Sequence, residues 1–107
     1  IIVATPDEVC VRNGAIAADN LANLGIEQSR LIINRFDVKA TVKRKLLNID
    51  DVIDSTRLRL LGIVEQDSAV SFNLSRGKPL PSRSKAAKAF ERIADRLDGK
   101  RIPLKID

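Results

Sequence analysis

Histidine, tryptophan and tyrosine are absent from the 107 residues, and cysteine occurs once, at Cys10. A His/Cys zinc site and an internal disulfide are thereby excluded. Three phenylalanines are the whole aromatic complement, so the core has to be aliphatic and single-stranded nucleic acid finds no rings to stack on. No apolar run approaches the roughly 20 residues that span a bilayer, and no signal-peptide pattern is visible. A cytoplasmic, reducing setting is the expectation, with Cys10 a helix residue; its place near a helix N-terminus, where thiol pKa falls, leaves a reactive role open. The five glycines are scattered singly, and no G-x-x-x-x-G-K-[ST] phosphate-binding loop occurs.

What is present reads as alternating strands and helices. Ile1 to Thr5 is an apolar, β-rich run of the kind buried in parallel sheets. Thr5, Pro6 and Glu8 then suggest a T-x-x-E capping box opening a helix, with Val9, Ile16, Ala17, Leu21 and Leu24 near helical spacing and Gly25 as its C-cap. Arg30 to Phe36 is a second strand, which makes a βαβ unit with parallel strands. Short helices are expected over Thr41–Leu47 and, capped by Asn48 or Asp50, over Ile49–Ser55; Leu58 to Val64 is the third strand. Asp67 caps a helix running to about Leu74 and ended by Gly77, and Pro79 and Pro81 mark a connector. A last helix starts at Ser82 or Ser84, carries Ala86, Phe90, Ile93, Ala94 and Leu97 on one face, and ends near Gly99.

This order predicts an α/β, three-layer arrangement, a parallel sheet of about three strands flanked by helices. Residues 1–107 read as a single partial domain, because a chain that opens directly on a core strand looks like the second half of a larger α/β unit. In open α/β sheets ligands gather beyond the C-terminal ends of the strands. That rule singles out Thr5-Pro6-Asp7, Asn34-Arg35-Phe36-Asp37 and Glu65-Gln66-Asp67.

Taken in order, IIVATPDEVCVRNG, LIINRF, LRLLGIVEQDSAVSFNLSRGKPL and GKRIPL resemble the C-terminal part of the MinD/ParA family of deviant-Walker P-loop ATPases, nearest to its MinD-type cell-division branch. The resemblance covers nearly the whole chain and rests on the order of several weak motifs. It implies the C-terminal half of a P-loop NTPase fold, with the adenine side of the ATP site at the ends of the second and third strands. Asn34 and Arg35 match the family's N-R pair; Gly62, Ile63, Val64 and Asp67 match its G-V-I-P-E-D-like turn, with Glu65 and Gln66 standing where the family has Pro and Glu. The implied nucleotide-site residues are thus Asn34, Arg35, Glu65, Gln66 and Asp67. An amide such as Asn34 donates to and accepts from an adenine edge, and backbone groups near Asp67 read the exocyclic amine. Asn34 also reads as a plain strand-end residue and Asp67 as a plain N-cap.

The family uses ATP/ADP with Mg, and its phosphate-binding loop, magnesium ligand and switch regions lie outside this sequence. Phosphoryl transfer without them has no machinery, so no catalytic residue is assigned, this chain alone is expected to be inactive, and it is expected to hold no nucleotide firmly. The formal charge is +5, and basic residues cluster at Lys39, Lys43, Arg44 and Lys45 and at Arg83, Lys85, Lys88, Arg92, Arg96, Lys100 and Arg101. ParA-like DNA association through such charges is the weaker reading, because Glu91, Asp95 and Asp98 interrupt the second group. Division-regulator proteins are the partners the resemblance implies. The amphipathic membrane anchor of MinD proteins has no counterpart after Leu104, where only Lys105-Ile106-Asp107 follow. Half a doubly wound sheet exposes a strand edge, which predicts a homo-oligomer. A free-standing α/β interaction module is the alternative from a different functional class.

Overall fold

The computed structural model describes residues 1–43 and 46–105. Arg44 and Lys45 of the basic loop, and Ile106 and Asp107, lie outside the described residues. Three strands, β1 (Ile2–Ala4), β2 (Arg30–Phe36) and β3 (Arg59–Glu65), form one parallel sheet in the order β1-β2-β3. The helices are α1 (Glu8–Asn23), α2 (Val38–Val42), α3 (Ile49–Thr56), α4 (Ser68–Ser75) and α5 (Lys85–Leu97).

Strand alternation divides the core between the two sheet faces. On one face Ala4, Leu31, Ile33, Phe36 and Ile63 pack with Val11 of α1 and Val52 of α3. On the other, Leu61 and Val64 pack with Ala86, Ala89 and Ile93 of α5, and Ile32 is partly buried against them. The three-layer α/β expectation is therefore met. Leu31 and Ile33 are fully buried, and removing each from water is worth about 1.5–3 kcal/mol. Gly62 is where α5 approaches β3: a Cβ there would run into the side chain of Ile93. Because α5 covers β3, Val3 on the same face of the β1 edge is left 58% exposed.

Two features break the simple alternation. Leu31 pairs with Leu60 but Ile32 with Gly62, so β3 carries one extra residue at Leu61. Arg35 adopts a left-handed conformation, φ 55°, and the register shifts between Ile33 and Phe36. The kink advances the phase, so that Phe36, three residues after Ile33, returns to the same buried cluster.

Helix ends follow local side-chain chemistry, with one departure from expectation at α1. Asp7, not Thr5, is the N-cap: its Oδ1 accepts from the Cys10 amide at 2.9 Å, and the Thr5 hydroxyl donates to the other carboxylate oxygen. A carboxylate competes better than a hydroxyl for helix amides, so the helix begins two residues later than a Thr5 cap would set it and no box with Glu8 forms. Gly25, φ 89°, closes α1 with Gly25 N donating to Ala22 O and Ile26 N to Leu21 O, as the sequence implied. Asn48 caps α3 in a reciprocal box with Asp51. The first short helix is α2, capped by Asp37 and not spanning Thr41–Leu47.

The apolar stripe foreseen for α1 is not its buried face, although its Ala17 and Leu21 are half-buried. Val9, Ile16 and Leu24 are exposed, while Val11 and Gly14 are buried. Gly14 lies over Ile2, Ala4 and Thr56 on the buried side, with room there for a Cβ at ordinary contact distance. In α5 the buried positions are Ala86, Ala89 and Ile93; Phe90 and Leu97 are about half exposed and Ala94 is exposed. Small alanines permit a close approach there.

The segment after α5 is held by arginines. Arg96 donates to the carbonyls of Leu61 at 3.0 Å, Ile102 at 3.1 Å and Pro103 at 3.0 Å, and Arg92 donates to that of Lys105 at 3.3 Å. Burial pushes the Arg96 guanidinium below its ordinary pKa, with neighbouring Arg92 adding to the effect.

Candidate nucleotide-side cleft

The C-terminal ends of all three strands meet at one rim. After β1 come Thr5, Pro6 and Asp7; after the kink of β2 come Arg35 and Asp37; after β3 comes Gln66. These residues and Leu46 line an open cleft of about 410 Å³. Its floor is tied by the Gln66 amide donating to Phe36 O at 2.8 Å and by the Leu47 amide donating to Pro6 O at 3.0 Å. The left-handed backbone of Arg35 turns its guanidinium to the rim, where Nε donates to Gln66 Oε1 at 3.1 Å. Such a conformation is uncommon for a residue with a side chain and is kept only where surrounding structure holds it.

The five residues singled out from the sequence divide into four groups. Arg35 and Gln66 line the cleft together. Asn34 is half-buried on β2 and does not line it, and its side chain makes no hydrogen bond among the described residues. Glu65 is buried and turns to a neighbouring cleft of about 390 Å³, where Lys85 Nζ lies 3.9 Å from its Oε2. Asp67 is committed to the backbone: Oδ1 accepts from Ala69 N at 3.0 Å and Oδ2 from Ala86 N at 3.1 Å, so one carboxylate caps α4 and also tethers the first turn of α5. Those amides, Ala86 first and then Ala69, hold its carboxyl below the ordinary value. The Asp7 carboxyl is lowered as well, chiefly by the Thr5 hydroxyl and then by the Cys10 amide.

Leu46 and Lys85 were not foreseen as site residues, whereas Asp37 lies in a strand-end segment that the sequence singled out. Asp37 carried a signal, being a capping residue directly after a strand. Leu46 and Lys85 carried none, since only the tertiary fold brings them to the rim. The cations of the last helix are largely spent internally: Arg92 and Arg96 hold the tail, Lys85 approaches Glu65, and Lys100 pairs with Asp95 at 3.4 Å.

The cleft combines apolar and polar surface. Pro6 and Leu46 offer apolar surface, and Arg35 and Gln66 offer donors and an acceptor at one edge, which suits a flat heteroaromatic ring with a polar rim. No group of three or more His, Cys, Asp or Glu suited to a metal ion occurs among the described residues, so a magnesium ion would need ligands from elsewhere. No helix among them is long and apolar enough to cross a membrane.

No protein-family profile matches the chain. Individual proteins do. A putative septum site-determining protein MinD of Guillardia theta is 31% identical over 105 residues, covering 95% of this chain and 39% of that protein. The septum site-determining protein MinD of Synechocystis is 30% identical over 106 residues, covering 96% and 40%. In three dimensions the chain is similar to the MinD cell division protein of Aquifex aeolicus, with a TM-score of 0.91 at 25% identity over 96% of this chain and 44% of that one. The Aquifex MinC:MinD complex gives 0.89 at 26% identity, covering 96% and 43%. The Mg-ADP complex of MinD from Pyrococcus horikoshii, at 20% identity and a TM-score of 0.76 over 90% and 40%, shares the fold. The chain thus spans about 40% of the length of the relatives it matches. Its resemblance to the MinD/ParA family holds in sequence over about 95% of its residues and in the parallel-sheet fold.

Proposed function

We propose, from this MinD-like sequence and fold, that the chain is the C-terminal segment of a MinD-like ATPase of cell-division site selection and supplies the adenine side of its ATP site. The observation that carries the reading is the Arg35–Gln66 pair at the rim of the cleft, placed by a left-handed kink at the end of the central strand. Gln66 presents an amide able to donate and accept, and Arg35 holds its orientation. Pro6 and Leu46 would flank the ring. Asp67 acts one step back, as the positioning residue that fixes the turn between β3 and α4.

When bound, the nucleotide brings the phosphoryl group whose hydrolysis powers the family's cycle. This chain's residues hold the base and exclude water from one side of it. Phosphate binding and hydrolysis fall to residues that this sequence does not contain, since it has no glycine-rich lysine loop. A MinC-type regulator, present in the Aquifex MinC:MinD complex, is the partner class this reading implies.

The test is equilibrium titration of ADP, with Mg, against the whole protein that carries this segment. Arg35→Ala and Gln66→Ala should each weaken binding about five- to tenfold, on the order of one to two hydrogen bonds to a polar ligand. Inorganic phosphate competition should be unchanged. Parent-like ADP affinity in both variants, in protein with a parent-like circular dichroism spectrum, refutes the assignment.

A further inference from the structure

At the opposite, N-terminal end of the strands, arginines converge without pairing to an acid among the described residues. Arg30 and Arg59 are register partners on β2 and β3, which places two like charges directly across a strand pair. Arg30 Nε is buried and has no hydrogen-bond partner. Arg57, just upstream of β3, sits in the left-handed C-cap of α3 at φ 57°. Two clefts adjoin here, of about 520 and 560 Å³, and share Arg30 and Arg59; Arg57 lines the first and Arg101 the second. Among the described residues none of these four guanidinium groups makes a hydrogen bond or an ion pair. Glu27, at the first cleft, does not pair with them.

We propose that this double cleft binds a carboxylate-bearing protein segment, an extended stretch of a partner in which acidic side chains alternate with aliphatic ones. Planar guanidinium forks match carboxylates in a bidentate way, and Arg30, Arg57, Arg59 and Arg101 all line the two clefts without a partner of their own among the described residues. Charge between Arg30 and Arg59 is neutralised by the same event. The aliphatic requirement comes from the second cleft, where Leu61, Leu97, Ile102 and Leu104 stand beside the cations. Leu97 and Leu104 are each about half exposed. A nucleic-acid backbone has nothing to place on those leucines, and neither cleft offers an aromatic ring for a base.

The experiment is fluorescence-anisotropy titration of the full chain with three probes: a dye-labelled 12-residue peptide of alternating Glu and Leu, the same peptide with Gln for Glu, and a 20-base-pair DNA duplex. The Glu peptide should bind and the Gln peptide should not. The double substitution Arg59→Gln/Arg101→Gln should weaken the Glu peptide about tenfold or more, the loss of two charge-assisted contacts. Arg83→Gln/Lys88→Gln, which removes equal charge elsewhere, should change it less than twofold. Amide resonances of Arg30 and Arg59 should shift on titration. DNA binding with no peptide binding, equal loss in the two double variants, or no peptide binding at all would each overturn the proposal. Arg96 is left intact throughout, because it anchors the tail.

Discussion

Asp67 gives the sharpest quantitative expectation. Its two carboxylate oxygens accept from two helix starts, Ala69 N at 3.0 Å and Ala86 N at 3.1 Å, across 19 residues of chain. A single side-chain cap is typically worth about 1 kcal/mol, and a negative charge at a helix N-terminus adds about 0.3–1 kcal/mol. Asp67→Ala removes both caps and both charge terms, a loss of about 3 kcal/mol, which for a domain of this size lowers Tm by at least about 12 °C. Asp67→Asn keeps one acceptor but turns an amine toward the second backbone N–H and removes the charge, so about half to two-thirds of that loss is expected. The damage should be local to α5 as well as global, because Ser84 still caps that helix through Ala87 N at 3.1 Å while the tether to β3 is gone. Urea unfolding followed by circular dichroism gives the magnitude, and hydrogen exchange at Ala69 and Ala86 reports the two helix starts separately. An Asp67→Ala variant within about 0.5 kcal/mol of the parent, or an Asp67→Asn variant equal to it, would show that the double cap contributes nothing and refute the reasoning.

Two further expectations concern glycines and pH. Gly62→Ala would drive a methyl into Ile93 and should destabilise by about 1–3 kcal/mol, whereas Gly14→Ala, whose Cβ would rest at 3.6 Å from Ile2 Cγ2 and 3.8 Å from Ala4 Cβ, should stabilise by about 0.5–1 kcal/mol; urea midpoints of the two variants check the opposite signs. Asp7 and Asp67 are both held below their ordinary value of 3.8 in the folded chain, so their contribution is complete above that pH and is lost as pH falls through the lowered folded values. Stability measured from pH 7 to pH 2 should therefore fall in the acid range below about pH 4, with a shallower fall in Asp67→Asn; an identical acid profile in parent and variant would contradict the assignment.

Strands and helix ends were legible in the sequence because they depend on local chemistry. The runs Arg30–Phe36 and Leu58–Val64 are β-branched or leucine-rich, and Gly25, Asn48, Asp67, Gly77 and Ser84 punctuate helices through their own side chains or lack of one. Which helix face is buried was less legible. Val9, Ile16 and Leu24 outweigh Val11 and Gly14 in hydrophobicity, yet the side carrying Val11 and Gly14 is the one that packs on the sheet and α3. Thr5 and Asp7 both suit an N-cap, and only the competition between hydroxyl and carboxylate decides it. At the candidate cleft, proximity to strand ends identified Arg35 and Gln66. Nothing local showed that Asp67 would spend both oxygens on backbone amides or that Lys85 would reach Glu65. The arginine clefts were invisible for the same reason: Arg30 and Arg59 lie 29 positions apart and meet only through the strand register.

The Arg96 guanidinium joins a helix, a strand and the tail in one rigid fork. Force applied to the tail at Lys105 would therefore not be absorbed by peeling it away residue by residue. It reaches Arg92 and Arg96 first and passes into α5 and into the bulge of β3 at Leu61. Tension that broke this fork would also remove Ile102 and Leu104 from the wall of the second arginine cleft. A pull on the tail would thus oppose anything seated in that cleft, because the residues that anchor the tail also hold the cleft's wall.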